Sequence, residues 1–150
     1  MKITQEADYA LRMMYRLAAE HAAGNAVVGA ANLATGVAVP TRFGFKILRK
    51  LSEEGVVETT RGATGGYRLS LPADTLTMRR IIEAIDGPIA LNRCVSGTYD
   101  CGNNPDKSHC RVHHVFETLN EQVTERLDRI TVAMLVDETI GLGDLLAVIR

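Results

Sequence analysis

The chain has no tryptophan, three phenylalanines, four tyrosines and only three cysteines among its 150 residues. So few thiols, and an odd number of them, exclude a framework of paired disulfides. No apolar run approaches the ~18 residues that a membrane-crossing helix needs. No basic start leads into a short apolar stretch of the secretory kind either, so a cytoplasmic protein with reduced thiols and no membrane partner is expected. An excess of one charge is missing as well: 17 Lys/Arg face 18 Asp/Glu, a net of −1. Also absent are a phosphate-cradling glycine loop opening a helix, a nucleophile elbow and the paired histidines of a metalloprotease helix, so no enzyme is expected. There is no internal repeat and no low-complexity segment.

The charges that are present are unevenly spread. Residues 1–82 hold 11 Lys/Arg and 7 Asp/Glu, a net of +4, whereas residues 83–150 hold 6 and 11, a net of −5. A basic front and an acidic rear fit a nucleic-acid-facing domain joined to a part that does not face nucleic acid. With 46% hydrophobic and 23% charged residues, the length suffices for one globular domain with a core plus an appendage.

Periodicity orders the elements. Ala7, Ala10, Leu11, Met14, Leu17, Ala18 and His21 recur at helical spacing and predict a helix over 4–22, ended by Gly24-Asn25. A short helix over 30–35 and a turn over 36–40 follow. A third helix starts at Thr41, whose hydroxyl is placed to cap it, and runs to Gly55. Phe43, Ile47, Leu48 and Leu51 form its apolar side, and Arg42, Lys46, Arg49 and Lys50 its basic side. Gly44 inside this helix costs about 1 kcal/mol, which close packing or a close ligand would justify. Val56–Thr60 and Tyr67–Leu71 read as strands around a glycine-rich tip, Arg61–Gly66. Another helix spans 76–86 and stops at Gly87-Pro88.

Three helices and then a hairpin is the order of a winged helix-turn-helix. The fold class is therefore mainly α with a small β-hairpin wing, followed by a long C-terminal dimerisation helix. That helix is marked by Phe116, Leu119, Val123, Leu127, Ile130 and Met134, a narrow seam spaced 3, 4, 4, 3 and 4 residues apart. The expected divisions are a DNA-binding domain over 1–86, a cysteine-rich loop over 87–113, the dimerisation helix over 114–136 and a tail over 137–150.

All cysteines lie in one polar loop, Cys94-x6-Cys101-x8-Cys110, with His113 three residues further on. Three thiolates and an imidazole fill a four-coordinate soft-metal site, either an iron–sulfur cluster or zinc. His109 and His114 flank the same spot. For DNA, Thr41, Arg42 and Phe43 stand at the start of the third helix, where such helices read base edges. Lys46, Arg49 and Lys50 suit phosphates. Arg61 and Thr64 at the wing tip reach a phosphate or the minor groove, and Lys2 and Thr4 touch the backbone. Tyr67, opening a strand, suits packing.

Four segments together carry a resemblance: Met1-Lys-Ile-Thr4 with Tyr9-Ala10, Lys46-Ile-Leu-Arg-Lys-Leu51 with Gly55-Val-Val57, the wing Arg61-Gly-Ala-Thr-Gly-Gly-Tyr67, and Ile82-Glu-Ala-Ile-Asp86 ahead of the cysteine loop. Over residues 1 to about 136 the chain resembles the Rrf-two (Rrf2) family of bacterial regulators, IscR-, NsrR- and RirA-like. The resemblance implies a homodimeric transcription factor on double-stranded DNA with an inverted-repeat operator, with repression as the family default. It also implies a cluster on Cys94, Cys101 and Cys110 that reports redox, nitric oxide or iron/cluster status. His113 matches the IscR-type histidine ligand, which implies a two-iron cluster. Asp8 matches the position from which NsrR-type proteins supply a carboxylate across the dimer, which implies a four-iron cluster. Two features depart from the family pattern: Ala38 stands where the helix-turn-helix turn usually has glycine, and the cysteine spacings are longer. Two alternatives stay open, a cluster-free member that senses thiol oxidation or a partner enzyme, and a zinc-stabilised interaction module.

Overall fold

Thr4 starts the first helix: its side-chain oxygen accepts from the Ala7 N–H at 3.2 Å and caps α1 (Gln5–Ala22). This computed structural model describes residues 3–62, 65–97, 101–102 and 107–150. Lys2 and Thr64 therefore lie outside the described residues. Helix α1 buries Ala7, Ala10, Met13, Met14, Leu17 and Ala18 and packs against α2 (Ala30–Thr35), α3 (Thr41–Glu53), α4 (Met78–Asp86) and α6 (Val132–Val136). Of the expected apolar face, Leu11 is only half-buried and His21 is exposed, while Met13 takes a core position.

Helices α2 and α3 form the helix-turn-helix. The cost of Gly44 is offset by close packing, because a Cβ there would lie 2.7 Å from the Ala34 Cβ. The turn between the helices puts Ala38 at φ 56°, the left-handed region that glycine adopts without penalty. Thr41 does not cap α3. Pro40 occupies the cap without a side-chain hydrogen bond, and its carbonyl accepts from the N–H groups of Phe43 and Gly44.

The wing consists of β1 (Val57–Thr60) and β2 (Gly66–Leu69), antiparallel, with Val57 opposite Leu69 and Thr60 opposite Gly66. Val28 adds a one-residue third strand by exchanging hydrogen bonds of 3.0 and 2.9 Å with Tyr67. Gly66 permits this approach, since a Cβ there would sit 2.5 Å from the Val28 carbonyl oxygen. Tyr67 is half-buried against the core, as expected of a packing residue.

The long helix differs from its expected extent. Helix α5 covers Arg111–Arg129 and stops there. Ile130 is extended and buried, and its carbonyl accepts from Met78 N–H at 2.9 Å. Thr131 caps the separate α6, which contains Met134. The expected seam is thus split: Phe116, Leu119, Val123 and Leu127 lie on α5, whereas Ile130 belongs to the single-chain core and Met134 to α6. A last short helix, α7 (Leu142–Ala147), falls in the expected tail.

Candidate functional site

The basic side of α3 is built by helical spacing. Ile47, Leu48, Leu51 and Gly44 face the core, so at ~100° per residue the opposite face carries Arg42, Phe45, Lys46 and Arg49, all exposed. Lys46 pairs with Glu6 of α1 at 2.5 Å and Arg49 with Glu53 at 2.9 Å. Both are exposed pairs of the kind worth ~0–1 kcal/mol, easily exchanged for phosphate. Thr41 is exposed on the first residue of the helix, and Arg61 is exposed beside the wing tip.

Three expected DNA residues have other engagements in the fold. Phe43 packs against the core with its ring centroid 6.3 Å from that of Tyr9, and the Arg42 guanidinium lies 5.0 Å above it. Thr4 is tied to the end of α4 through Asp86, with its N–H donating at 3.1 Å and its hydroxyl at 2.5 Å. Lys50 donates to the Ile85 carbonyl, which binds α3 to the last turn of α4, where a cation also favours the helix dipole. Phe45, which the sequence did not single out, is also exposed on this face. Its signal was available in the same wheel, two residues on from the phenylalanine that turns inward.

The cysteine loop is anchored at both ends on α5. At its start, Asn120 accepts from Leu91 N–H at 2.9 Å and donates to the Ile89 carbonyl at 3.1 Å. Glu83 of α4 accepts from Ile89 N–H at 3.3 Å. At its end, His114 donates to the Ser108 carbonyl at 2.8 Å and faces Glu117 at 3.3 Å. These two acceptors, the Ser108 carbonyl first, hold the His114 imidazole above the usual histidine range. Cys110 caps α5, its sulfur accepting from His113 N–H at 3.4 Å. Nothing in the spacing of the chain pointed to Asn120.

Cys94, Cys101 and Cys110 are all free and half-buried. Cys94 and His113 line one open cavity of about 380 Å³ between the turn at Arg93–Val95 and α5, together with Lys107, Glu117, Asn120 and Glu121. Cys101, Cys110 and Asp8 are not on its wall. Among the described residues, no three Cys, His, Asp or Glu side chains are gathered closely enough to hold a metal ion. Asp8 sits half-exposed on α1, paired with Arg12 at 2.9 Å. The His113 side chain is only 12% exposed, and Nε2 stands 3.6 Å from Glu117. Its Nδ1 is buried with no hydrogen-bond partner among the described residues. An imidazole nitrogen withdrawn from water with nothing to bond costs ~1–3 kcal/mol, and a soft metal is one partner that answers it.

Helix α5 buries no side chain completely, and Val112, Val115 and Leu119 are 61%, 58% and 44% exposed. Arg79 joins its far end to α4 through Asp128 at 2.8 Å. The Asp128 hydrogen bond, more than the partner Glu83, raises the Arg79 guanidinium further above its already high value. Among the described residues no helix is long and apolar enough to cross a membrane.

A family model described as "Rrf2: Iron-dependent Transcriptional regulator" matches residues 3–138. The HTH-type transcriptional regulator IscR of Vibrio vulnificus (strain YJ016) is 27% identical over 146 residues, covering 96% of this chain and 83% of that protein. Among solved structures, CymR (YrzC), the global cysteine regulator of B. subtilis, superposes with a TM-score of 0.72 at 26% identity, covering 93% of this chain and 99% of that one. T. potens IscR superposes with a TM-score of 0.70 at 21% identity, covering 93% and 89%, a likeness of fold. None of these relatives is named as an enzyme.

Proposed function

The chain belongs to the Rrf2 family of transcriptional regulators, and on that premise we propose that it is a homodimeric DNA-binding regulator, acting as a repressor, whose cysteine loop carries an iron–sulfur cluster and senses redox, nitric oxide or iron supply. The observation that carries the cluster is the buried Nδ1 of His113 without a hydrogen-bond partner among the described residues, in a side chain that shares its cavity wall with Cys94. The donor chemistry fits: Cys94, Cys101 and Cys110 would supply thiolates and His113 an imidazole, a set suited to a two-iron cluster. Asp8 of a second subunit is the alternative fourth ligand, suited to a four-iron cluster. When bound, the cluster supplies a centre whose charge and integrity respond to oxidants, nitric oxide and iron.

The residues of the chain connect that loop to DNA. Asn120 holds residues 89–91 on α5, Asp128 at the far end of α5 holds Arg79 of α4, and Lys50 of α3 holds the Ile85 carbonyl at the other end of α4. In this reading a change in the loop reaches the recognition helix through these four polar contacts. Two copies joined along the Phe116, Leu119, Val123 and Leu127 face of α5 would set two α3 helices on an inverted repeat, about one helical turn apart. Arg42, Lys46, Arg49 and Arg61 would engage the DNA.

Anaerobic purification followed by an absorption spectrum and counts of iron, sulfide and zinc tests the reading. The expected sample is brown with stoichiometric iron and sulfide, and Cys101→Ala abolishes the colour and changes operator affinity. A colourless protein with stoichiometric zinc, or operator affinity unaltered in the cluster-free variant, would overturn it.

A second reading is favoured by the similarity to CymR, whose name describes a cysteine regulator. In it the half-buried thiols themselves are oxidised or the loop receives a partner enzyme. DNA binding that follows added reductant in metal-free protein would select it.

A further inference from the structure

We infer that Phe45 is a specificity residue that reads thymine, its ring packing on the C5-methyl group of one thymine in the major groove of each half-site. The inference rests on the DNA-reading role of α3 and adds to it a base.

Arg42, Phe45, Lys46 and Arg49 stand at i, i+3, i+4 and i+7, a single stripe on the outward face of α3. Three of the four are cations. The fourth is a large apolar side chain left 53% exposed. A lone exposed phenylalanine elsewhere on a surface needs no explanation, but this one lies inside the stripe that meets DNA. When the helix docks, the ring loses its remaining water and must find a surface that rewards the loss.

The neighbouring phenylalanine sharpens the point. Phe43 turns inward against Tyr9 and the core, so α3 keeps one aromatic for packing and presents another. Phe45 does not serve the fold in the same way, because it is exposed on the outward stripe and takes no part in the core against which Phe43 packs.

The chemistry then limits what Phe45 can recognise. An α-helix enters the major groove, ~12 Å wide, and is too thick for the minor groove at ~6 Å. A phenyl ring neither donates nor accepts a conventional hydrogen bond, so it cannot read the N7, O6, N4, N6 or O4 positions. The thymine methyl is the one apolar feature that base edges present in that groove. The flanking cations hold phosphates on either side, which fixes the ring over the base edges.

The test begins by selecting duplexes from a random-sequence pool with the full chain. Each thymine of one selected half-site is then replaced by deoxyuridine, which removes only the methyl. Affinities are measured for wild type, Phe45→Ala and Phe45→Leu. At one thymine the replacement should weaken wild type about fourfold, the worth of one buried methyl. It should leave Phe45→Ala unaffected, and Phe45→Leu should keep part of the effect. No sensitive thymine in wild type, or equal sensitivity in Phe45→Ala, overturns the thymine assignment while the DNA-reading role stands. Failure of wild type to select any sequence overturns that role and this inference with it.

Discussion

Helices α1 and α5 have nearly the same length, 18 and 19 residues, yet α1 buries six side chains and α5 buries none completely. Both are amphipathic, so the contrast lies in their partners. Four helices of the same chain cover α1, whereas α5 meets α4 and the turn at the start of the cysteine loop and leaves Val112, Val115 and Leu119 open. Each full burial of a large aliphatic side chain contributes about 1.5–3 kcal/mol. Helix α1 therefore belongs to the stability of one chain, and in the proposed homodimer α5 would gain the equivalent from a second copy. One helix is buried within the chain, and the other keeps a face that association would complete.

The largest expected effect attacks α1. Leu17→Ala removes a fully buried side chain and should cost about 2–5 kcal/mol, measured by urea denaturation and independent of protein concentration. Next, Leu119→Glu puts a charge on the open face of α5. It should weaken self-association roughly tenfold or more, seen by sedimentation, and abolish any rise of Tm with protein concentration. A full loss of fold in this variant, at every concentration, would erase the distinction between the helices. A smaller effect sharpens the first half: Ala38→Gly relieves a φ of 56° and should stabilise the chain by about 0.5–1 kcal/mol, with the α5-dependent association unchanged. The smallest serves as a control outside both helices. The Thr139 hydroxyl and N–H hold the Asp137 carboxyl below its ordinary value of 3.8. That contribution is present above the unfolded value and lost as pH falls through the lowered native one. Asp137→Asn should lower Tm slightly at neutral pH, with the difference vanishing in strong acid and no change in association.

Much of the α1-side architecture was legible because its signals are local. Spacing of apolar residues located α1, α3 and α4, and glycines located the wing. What escaped depends on distant partners. The seam spacing runs on through Ile130 and Met134, so periodicity alone extends the long helix past its end. Ile130 leaves the helix because its carbonyl pairs with Met78 N–H, a contact 52 residues away in sequence. The one local clue was Thr131, a capping hydroxyl three residues before Met134. Lys50 and Thr4 are surface groups as expected, but their acceptors, Ile85 and Asp86, were not legible because only folding brings them close. At the cysteine loop the residue types able to bind a metal were readable. The cavity shared by Cys94 and His113, and the grip of Asn120, were not.

That grip has a mechanical consequence. Asn120 and Asp128 are eight residues apart on one uninterrupted helix, about 12 Å at 1.5 Å per residue. A helix transmits displacement along its axis as a stiff rod, without the slack of a loop. In the proposed sensor Asn120 would thus act as a pivot and Asp128 as the end of a crank: a tilt of about 10° at the first would swing the second by about 2 Å. Shifts of that size separate alternative arrangements of packed helices. In that reading the gearing ratio between loop and recognition helix would be set by where along α5 the asparagine stands, and moving it by one turn toward Asp128 would shorten the throw by nearly half.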